Sequence, residues 1–210
     1  MTDEVAALRR ARILPVLTIH EPADVDPIAD GLIGGGICAV EVTLRTPHGL
    51  TAIRRLADRG DLVVGAGTVL SGADVEAAVD AGAVFTVSPG LNEAVVSVAR
   101  ARGVVPLPGI ATATELQRAC ALGLRHVKVF PIEAIGGMRM LEALHLPFPD
   151  VEFMPSGGVT PSTAAQYLAL PSVFAVGGSW LVPGTKVPDL AAAVHDRARA
   201  ALGDLEALDV

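Results

Sequence analysis

Hydrophobic and polar positions in this chain follow a cycle that repeats from one end to the other. Short apolar runs (ILPVLTI, CAVEVTL, LVVGAGTV, AVFTVS, VVPLPGI, HVKVFPI, VEFMPS and VFAVGGS) are each followed by a stretch with helical spacing. Runs apolar on both faces mark parallel strands in a sheet that is covered on both sides. The segment HGLTAIRRLADRG puts Leu50, Ile53 and Leu56 on one helical face, and SGADVEAAVDAG does the same with Val75, Ala78 and Val79. Boundaries are marked as well. Gly60 and Gly82 sit just before the next apolar run, where a residue past a helix end adopts positive φ. Thr160 followed by Pro161 reads as an N-cap and a first helical residue.

Eight strand–helix units joined by right-handed crossovers predict a closed (β/α)8 TIM barrel. It is expected to span residues 1–210 as a single domain with an N-terminal helix in MTDEVAALRRAR. A doubly wound sheet has fewer strands and carries GxGxxG after its first strand. Here the first run leads into HEPADVDP, and Gly34-Gly35-Gly36 follows a helix, where a capping role is expected.

Composition narrows the partners. With 51% hydrophobic residues but only 3% aromatics, aliphatic and small side chains must fill the interior. A net charge of −7 without basic clusters excludes a nucleic-acid surface and leaves small molecules. No charge occurs from Phe153 to Thr185, yet Pro155, Pro161, Pro171 and Pro183 break that stretch, so no membrane span is expected. The N-terminus has no apolar signal core. Cys38 and Cys120 stand in no metal or redox spacing, and a cytoplasmic location is the expectation.

Barrels carry their chemistry at the C-terminal ends of the strands. Period-two alternation in AVEVTLR puts Glu41, Thr43 and Arg45 on one face. Thr68 ends the third run, SPG at Ser88, Pro89 and Gly90 ends the fourth, and the sixth points His126, Lys128 and Phe130 the same way. All are expected to converge on one mouth. The lysine is telling, because the chain has 14 arginines and only two lysines, Lys128 and Lys186. A desolvated lysine amine can lose its proton near neutrality and act as a nucleophile, which a guanidinium cannot. A snorkelling lysine, or a buried ion-pair network of Glu41, Arg45 and Lys128, accounts for these residues equally well. The last two loops change the balance. PSGG (Ser156, Gly157, Gly158) and GGS (Gly177, Gly178, Ser179) are glycine pairs where barrels hold phosphate, and they predict a phosphorylated ligand. The five histidines show no metal-binding spacing with carboxylates, so no metal is expected.

EVTLR, GAGTVL, SPGL, KVFPIE, PSGG and GGSWL, in this order across nearly the whole chain, resemble the class I 2-keto-3-deoxy-6-phosphogluconate (KDPG) and 4-hydroxy-2-oxoglutarate (KHG) aldolases. The resemblance implies that Lys128 is the Schiff-base lysine, Glu41 the proton-transferring carboxylate, and Arg45 with Thr68 the binders of the pyruvate carboxylate. It further implies a substrate site containing Pro89, Phe130, Ser156, Gly157, Gly158, Gly178 and Ser179, a homotrimer, and catalysis without a cofactor. Two departures stand out. Ser156 replaces a frequent threonine at a position associated with stereoselectivity, and Ile135 replaces a small polar residue. A phosphate-binding barrel isomerase or synthase, and a non-catalytic phospho-sugar binding barrel, remain the alternative readings.

Overall fold

The computed structural model describes residues 3–184 and 186–206. Eight parallel strands, β1 (Ile13–Leu17), β2 (Ala39–Thr43), β3 (Val63–Gly67), β4 (Phe85–Ser88), β5 (Val105–Ile110), β6 (His126–Val129), β7 (Glu152–Pro155) and β8 (Val176–Gly178), form one sheet in the order β7-β6-β5-β4-β3-β2-β1-β8. Isolated bridges Phe153–Val173 and Ser156–Gly177 close it between β7 and β8. After a leading helix α1 (Asp3–Ala11), the strands alternate with α2 (Val25–Gly34), α3 (Gly49–Arg59), α4 (Gly72–Asp80), α5 (Glu93–Ala101), α6 (Ala113–Ala121), α7 (Gly137–His145), α8 (Pro161–Leu168) and α9 (Leu190–Glu206). This is the (β/α)8 barrel that the repeating pattern predicts. Among the described residues no helix is long and apolar enough to cross a membrane.

Alternation along the strands sorts the buried side chains into two cores. Outward-facing Ile13, Val40, Val42, Val64 and Val127 pack against Leu32, Ile53, Leu56, Val75 and Leu116 of the helical ring. Inward-facing Leu14, Ala39, Phe85, Val87, Leu107 and Met154 fill the lower barrel. Helix α1 plugs that end, because Leu8 and Ala11 join the inner core beside Phe174 and Ala175. A polar latch fixes the plug. Arg9 donates to Glu152, whose Oε2 also lies 2.9 Å from His126 Nε2, and the His126 ring meets Phe174 edge-on at 5.4 Å. Burial holds the His126 pKa below its ordinary value, with Glu152 opposing part of that shift. Burial raises Glu152, but the Arg9 hydrogen bond and charge together with His126 leave its pKa below the usual carboxylate value.

Several expectations are corrected here. His126 does face inward like Lys128, but it opens β6 at the closed end and does not reach the mouth. Strand β2 stops at Thr43, so Arg45 lies in the turn beyond it, not on its face. Leu50 is exposed, and α3 buries Gly49, Ala52, Ile53 and Leu56 instead. The last strand is three residues long, shorter than the run VFAVGGS suggests. The expected boundaries are present. Gly60 has φ +74, and Thr160 caps α8 by accepting from the Thr163 N–H at 3.3 Å with Pro161 opening the helix.

Candidate active site

Strands β2 and β6 lie on opposite arcs of the barrel, and each turns one charged side chain inward above the aliphatic plug. Lys128 Nζ lies 3.5 Å from Glu41 Oε1, with Lys128 7% and Glu41 1% exposed. Buried charges persist where they are paired, so the two residues stabilise each other's placement. The pair is nevertheless incomplete. Glu41 Oε2 is buried with no hydrogen-bond partner among the described residues, and such an orphaned acceptor calls for a ligand or water donor. The Phe130 ring lies under the amine, its centroid 5.3 Å from Nζ. Room for the carboxylate comes from Gly67 on β3, where a Cβ would stand 2.6 Å from Glu41 Cγ.

The remaining predicted residues form a rim. Thr68, just past β3, has φ +58, an uncommon conformation for a β-branched residue and one that gathers at functional sites. Arg45 is exposed, and among the described residues it makes no ion pair or hydrogen bond. Pro89 follows β4, its backbone lying so close to Gly109 of β5 that a side chain there would overlap its carbonyl. Ser156 follows β7 and is buried, with its hydroxyl pressed toward Gly177 and lacking a hydrogen-bond partner among the described residues. Gly157 and Gly158 both adopt positive φ, +89 and +91. Gly178 is buried in β8, paired in register with Pro15, with Trp180 occupying the place of a Cβ. Ser179 is exposed at the start of the following loop.

Three features went unnoticed in the sequence. Thr18, at the end of β1, hydrogen-bonds the buried Thr43 hydroxyl at 2.9 Å, and Thr46 Oγ1 donates to the Ile19 carbonyl at 2.6 Å, joining the first two loops. The inward positions of Gly67, Gly109 and Gly177 admit Glu41, the Pro89 backbone and Ser156 into the upper barrel, and period-two placement in VVGAG and VPLPGI is the signal that locates two of them. Tyr167 of α8 donates to Glu133 Oε1 at 2.7 Å across a long sequence gap. A cavity of about 480 Å3 lies between the loops after β1 and β8, walled by Thr18, His20, Asp24 and Lys186 but not by Lys128 or Glu41. No cluster of three or more His, Cys, Asp or Glu side chains able to hold a metal occurs among the described residues.

A buried amine beside a buried carboxylate, at the strand ends of a barrel whose last loops are glycine-rich, can form and protonate a covalent carbonyl adduct. Comparison with known proteins agrees. The family model described as KDPG and KHG aldolase matches residues 5–195. The chain is 50% identical over 176 residues to a 2-dehydro-3-deoxy-phosphogluconate aldolase of Pseudomonas aeruginosa, covering 83% of this chain and 80% of that one. Among solved structures, the 2-keto-3-deoxy-6-phosphogluconate aldolase of Zymomonas mobilis with 3-phosphoglycerate superposes with a TM-score of 0.90 at 42% identity, covering 95% of this chain and 94% of that one. A KDPG aldolase from Legionella pneumophila, with pyruvate captured as a covalent carbinolamine, superposes with a TM-score of 0.85 at 35% identity, covering 98% of both chains. The model match over most of the chain, together with half-identical sequence, places it among its relatives: this protein belongs to the KDPG and KHG aldolase family.

Proposed function

We propose that the chain is a Schiff-base aldolase that cleaves KDPG to pyruvate and glyceraldehyde 3-phosphate, and 4-hydroxy-2-oxoglutarate to pyruvate and glyoxylate. The observation that carries this reading is the Lys128–Glu41 pair, buried and 3.5 Å apart at the mouth of the barrel. Lys128 passes a proton to Glu41, 3.5 Å away, or to a water it holds; the freed amine adds to the C2 keto carbon, and return of that proton to the carbinolamine hydroxyl lets it leave as water, giving an iminium. A base, Glu41 or a water it holds, takes the proton of the C4 hydroxyl as the C3–C4 bond breaks, and the bonding pair flows into the iminium to give an enamine. The aldehyde departs. Glu41 then returns a proton to C3, and water hydrolyses the resulting iminium to release pyruvate and Lys128 as its ammonium.

Arg45 and Thr68 receive the carboxylate of the keto acid, with the guanidinium of Arg45, unpaired among the described residues, able to make two parallel hydrogen bonds. Phe130 and Pro89 line the pyruvate end. Ser156, Gly157, Gly158, Gly178 and Ser179 receive the hydroxylated and phosphorylated end. The barrel serves as a single catalytic domain acting as a homotrimer in the cytoplasm, within Entner–Doudoroff-type sugar-acid breakdown, and sedimentation analysis tests the assembly.

Borohydride reduction in the presence of pyruvate tests the chemistry. It should add one reduced pyruvate mass to Lys128 in the native enzyme and none in Lys128→Arg, which keeps the charge but lacks a usable nucleophile. Labelling of the arginine variant would end the assignment.

A further inference from the structure

We propose that Tyr167 and Glu133 are positioning residues that brace the Gly157–Gly158 loop so that its N–H groups face the substrate's distal phosphate; this rests on the aldolase reading above. The argument begins with peptide geometry. Ile132 N–H donates to the Ser156 carbonyl at 2.8 Å, and Glu133 N–H donates to the Gly157 carbonyl at 3.2 Å. In a planar trans peptide the N–H points opposite to the C=O. Two carbonyls turned onto the segment after β6 therefore turn the N–H groups of Gly157 and Gly158 away from it. The loop rests directly on that segment. A Cβ at Gly157 would stand 2.9 Å from the Phe130 ring, and one at Gly158 would stand 2.7 Å from Glu133 Cβ and Cγ.

Glu133 thus has two faces. Its stem supports Gly158, and its carboxylate accepts from the Tyr167 hydroxyl at 2.7 Å. Tyr167 is 1% exposed and belongs to α8, the helix into which the loop runs. Burial, and then the bond to Glu133, pushes the phenol pKa well up, so the hydroxyl stays a donor. The loop, helix α8, Tyr167 and Glu133 form a closed circuit back to the loop. That circuit fixes the loop at both ends. It also holds the Glu133 carboxylate toward α8, a necessary arrangement if an anion binds nearby, because a released carboxylate beside it would repel the phosphate.

The test compares KDPG with its unphosphorylated counterpart, 2-keto-3-deoxygluconate, in aldol cleavage. Wild type should prefer KDPG in kcat/KM; equal constants would end the phosphate reading and this proposal with it. Tyr167→Phe removes one oxygen and leaves the buried ring. It should raise KM for KDPG about tenfold, with kcat for KDPG and both constants for 2-keto-3-deoxygluconate within about twofold. Glu133→Ala, at an exposed residue, should give the same split if Tyr167→Phe does not fold. Glu133→Gln, whose amide oxygen can still accept from Tyr167, should stay close to wild type. An equal fall for both substrates, or no change for either in a folded variant, would overturn the proposal.

Discussion

Gly67→Ala probes the placement of the carboxylate without altering a reacting group. Gly67 faces into the barrel from β3, and its φ is not positive, so alanine suits the backbone. The new methyl would lie 2.6 Å from Glu41 Cγ and 2.7 Å from Cδ, and nearer still to Oε1. Carbon contacts settle at about 3.5 Å or more, so the Glu41 side chain must move by roughly 1 Å. It has little slack, being 1% exposed. Overpacking of this kind costs about 1–3 kcal/mol, offset by about 0.4–1 kcal/mol from removing a glycine from the unfolded chain, so the barrel should survive. Catalysis should not. A displacement of about 1 Å at a reacting group can lower rates by about 100-fold, or roughly 2.7 kcal/mol of barrier. Two measurements separate the steps: borohydride trapping of pyruvate on Lys128 should remain, whereas deuterium exchange at the pyruvate methyl, which under the proposed mechanism passes through Glu41, should fall about 100-fold along with kcat for cleavage. Exchange within about threefold of wild type in a folded variant would show that the position of Glu41 does not limit proton transfer, and the reasoning from the Gly67 contact would be wrong.

Arg45→Ala should leave stability within about 0.5 kcal/mol, since the side chain is exposed and unpartnered among the described residues, while raising KM for pyruvate and every 2-keto acid about tenfold or more. A loss confined to phosphorylated substrates would move Arg45 to the phosphate end. Acid should loosen the closed end of the barrel. His126 and Glu152 both have folded-state pKa values below their ordinary 6.5 and 4.5, so the unfolded chain takes up each proton first. Their contribution to stability is therefore full above about pH 7, declines as pH falls through the histidine range, and declines again as it falls through the carboxylate range. Urea midpoints measured across pH should show this. Arg9→Ala should lower the neutral-pH midpoint and flatten the most acidic limb, and a parallel shift at all pH values would refute the latch.

The barrel was legible because strand–helix alternation is a repeating signal, and eight repeats outweigh errors at single boundaries. Period two also assigned Glu41 and Lys128 to the inside correctly. What it could not give is height. His126 shares the inward face of Lys128, but its level is fixed by pairing with Glu152 and by Arg9, 143 residues away from that carboxylate. Strand ends were similarly hidden: Leu44 N–H still reaches the Gly67 carbonyl at 2.8 Å, and then the bond from Thr46 to the Ile19 carbonyl accompanies the turn that carries Arg45. The buried face of α3 was misjudged because it begins with Gly49, which a hydrophobic pattern does not register. A Cβ there would stand 2.7 Å from the Thr43 carbonyl, so close packing selects the smallest residue.

The same reasoning explains how this barrel seats polar groups at its upper end. Below, Phe85, Val87, Leu107 and Met154 fill the interior with α1 as a plug. Above, strand positions that would ordinarily carry aliphatic side chains carry Gly67, Gly109 and Gly177, and the volume released is taken by Glu41, by the backbone of Pro89 and by Ser156. Glycine at inward positions weakens a strand, a cost accepted where another group must approach closely. Two polar atoms in this region, Glu41 Oε2 and Ser156 Oγ, are buried without partners among the described residues. A folded interior rarely leaves such atoms unsatisfied. Under the proposed reading, a substrate with a keto group for Lys128 and hydroxyls along its chain supplies donors and acceptors of the kind these atoms lack, and the glycines of the upper strands serve it by letting Glu41 and Ser156 stand where they do.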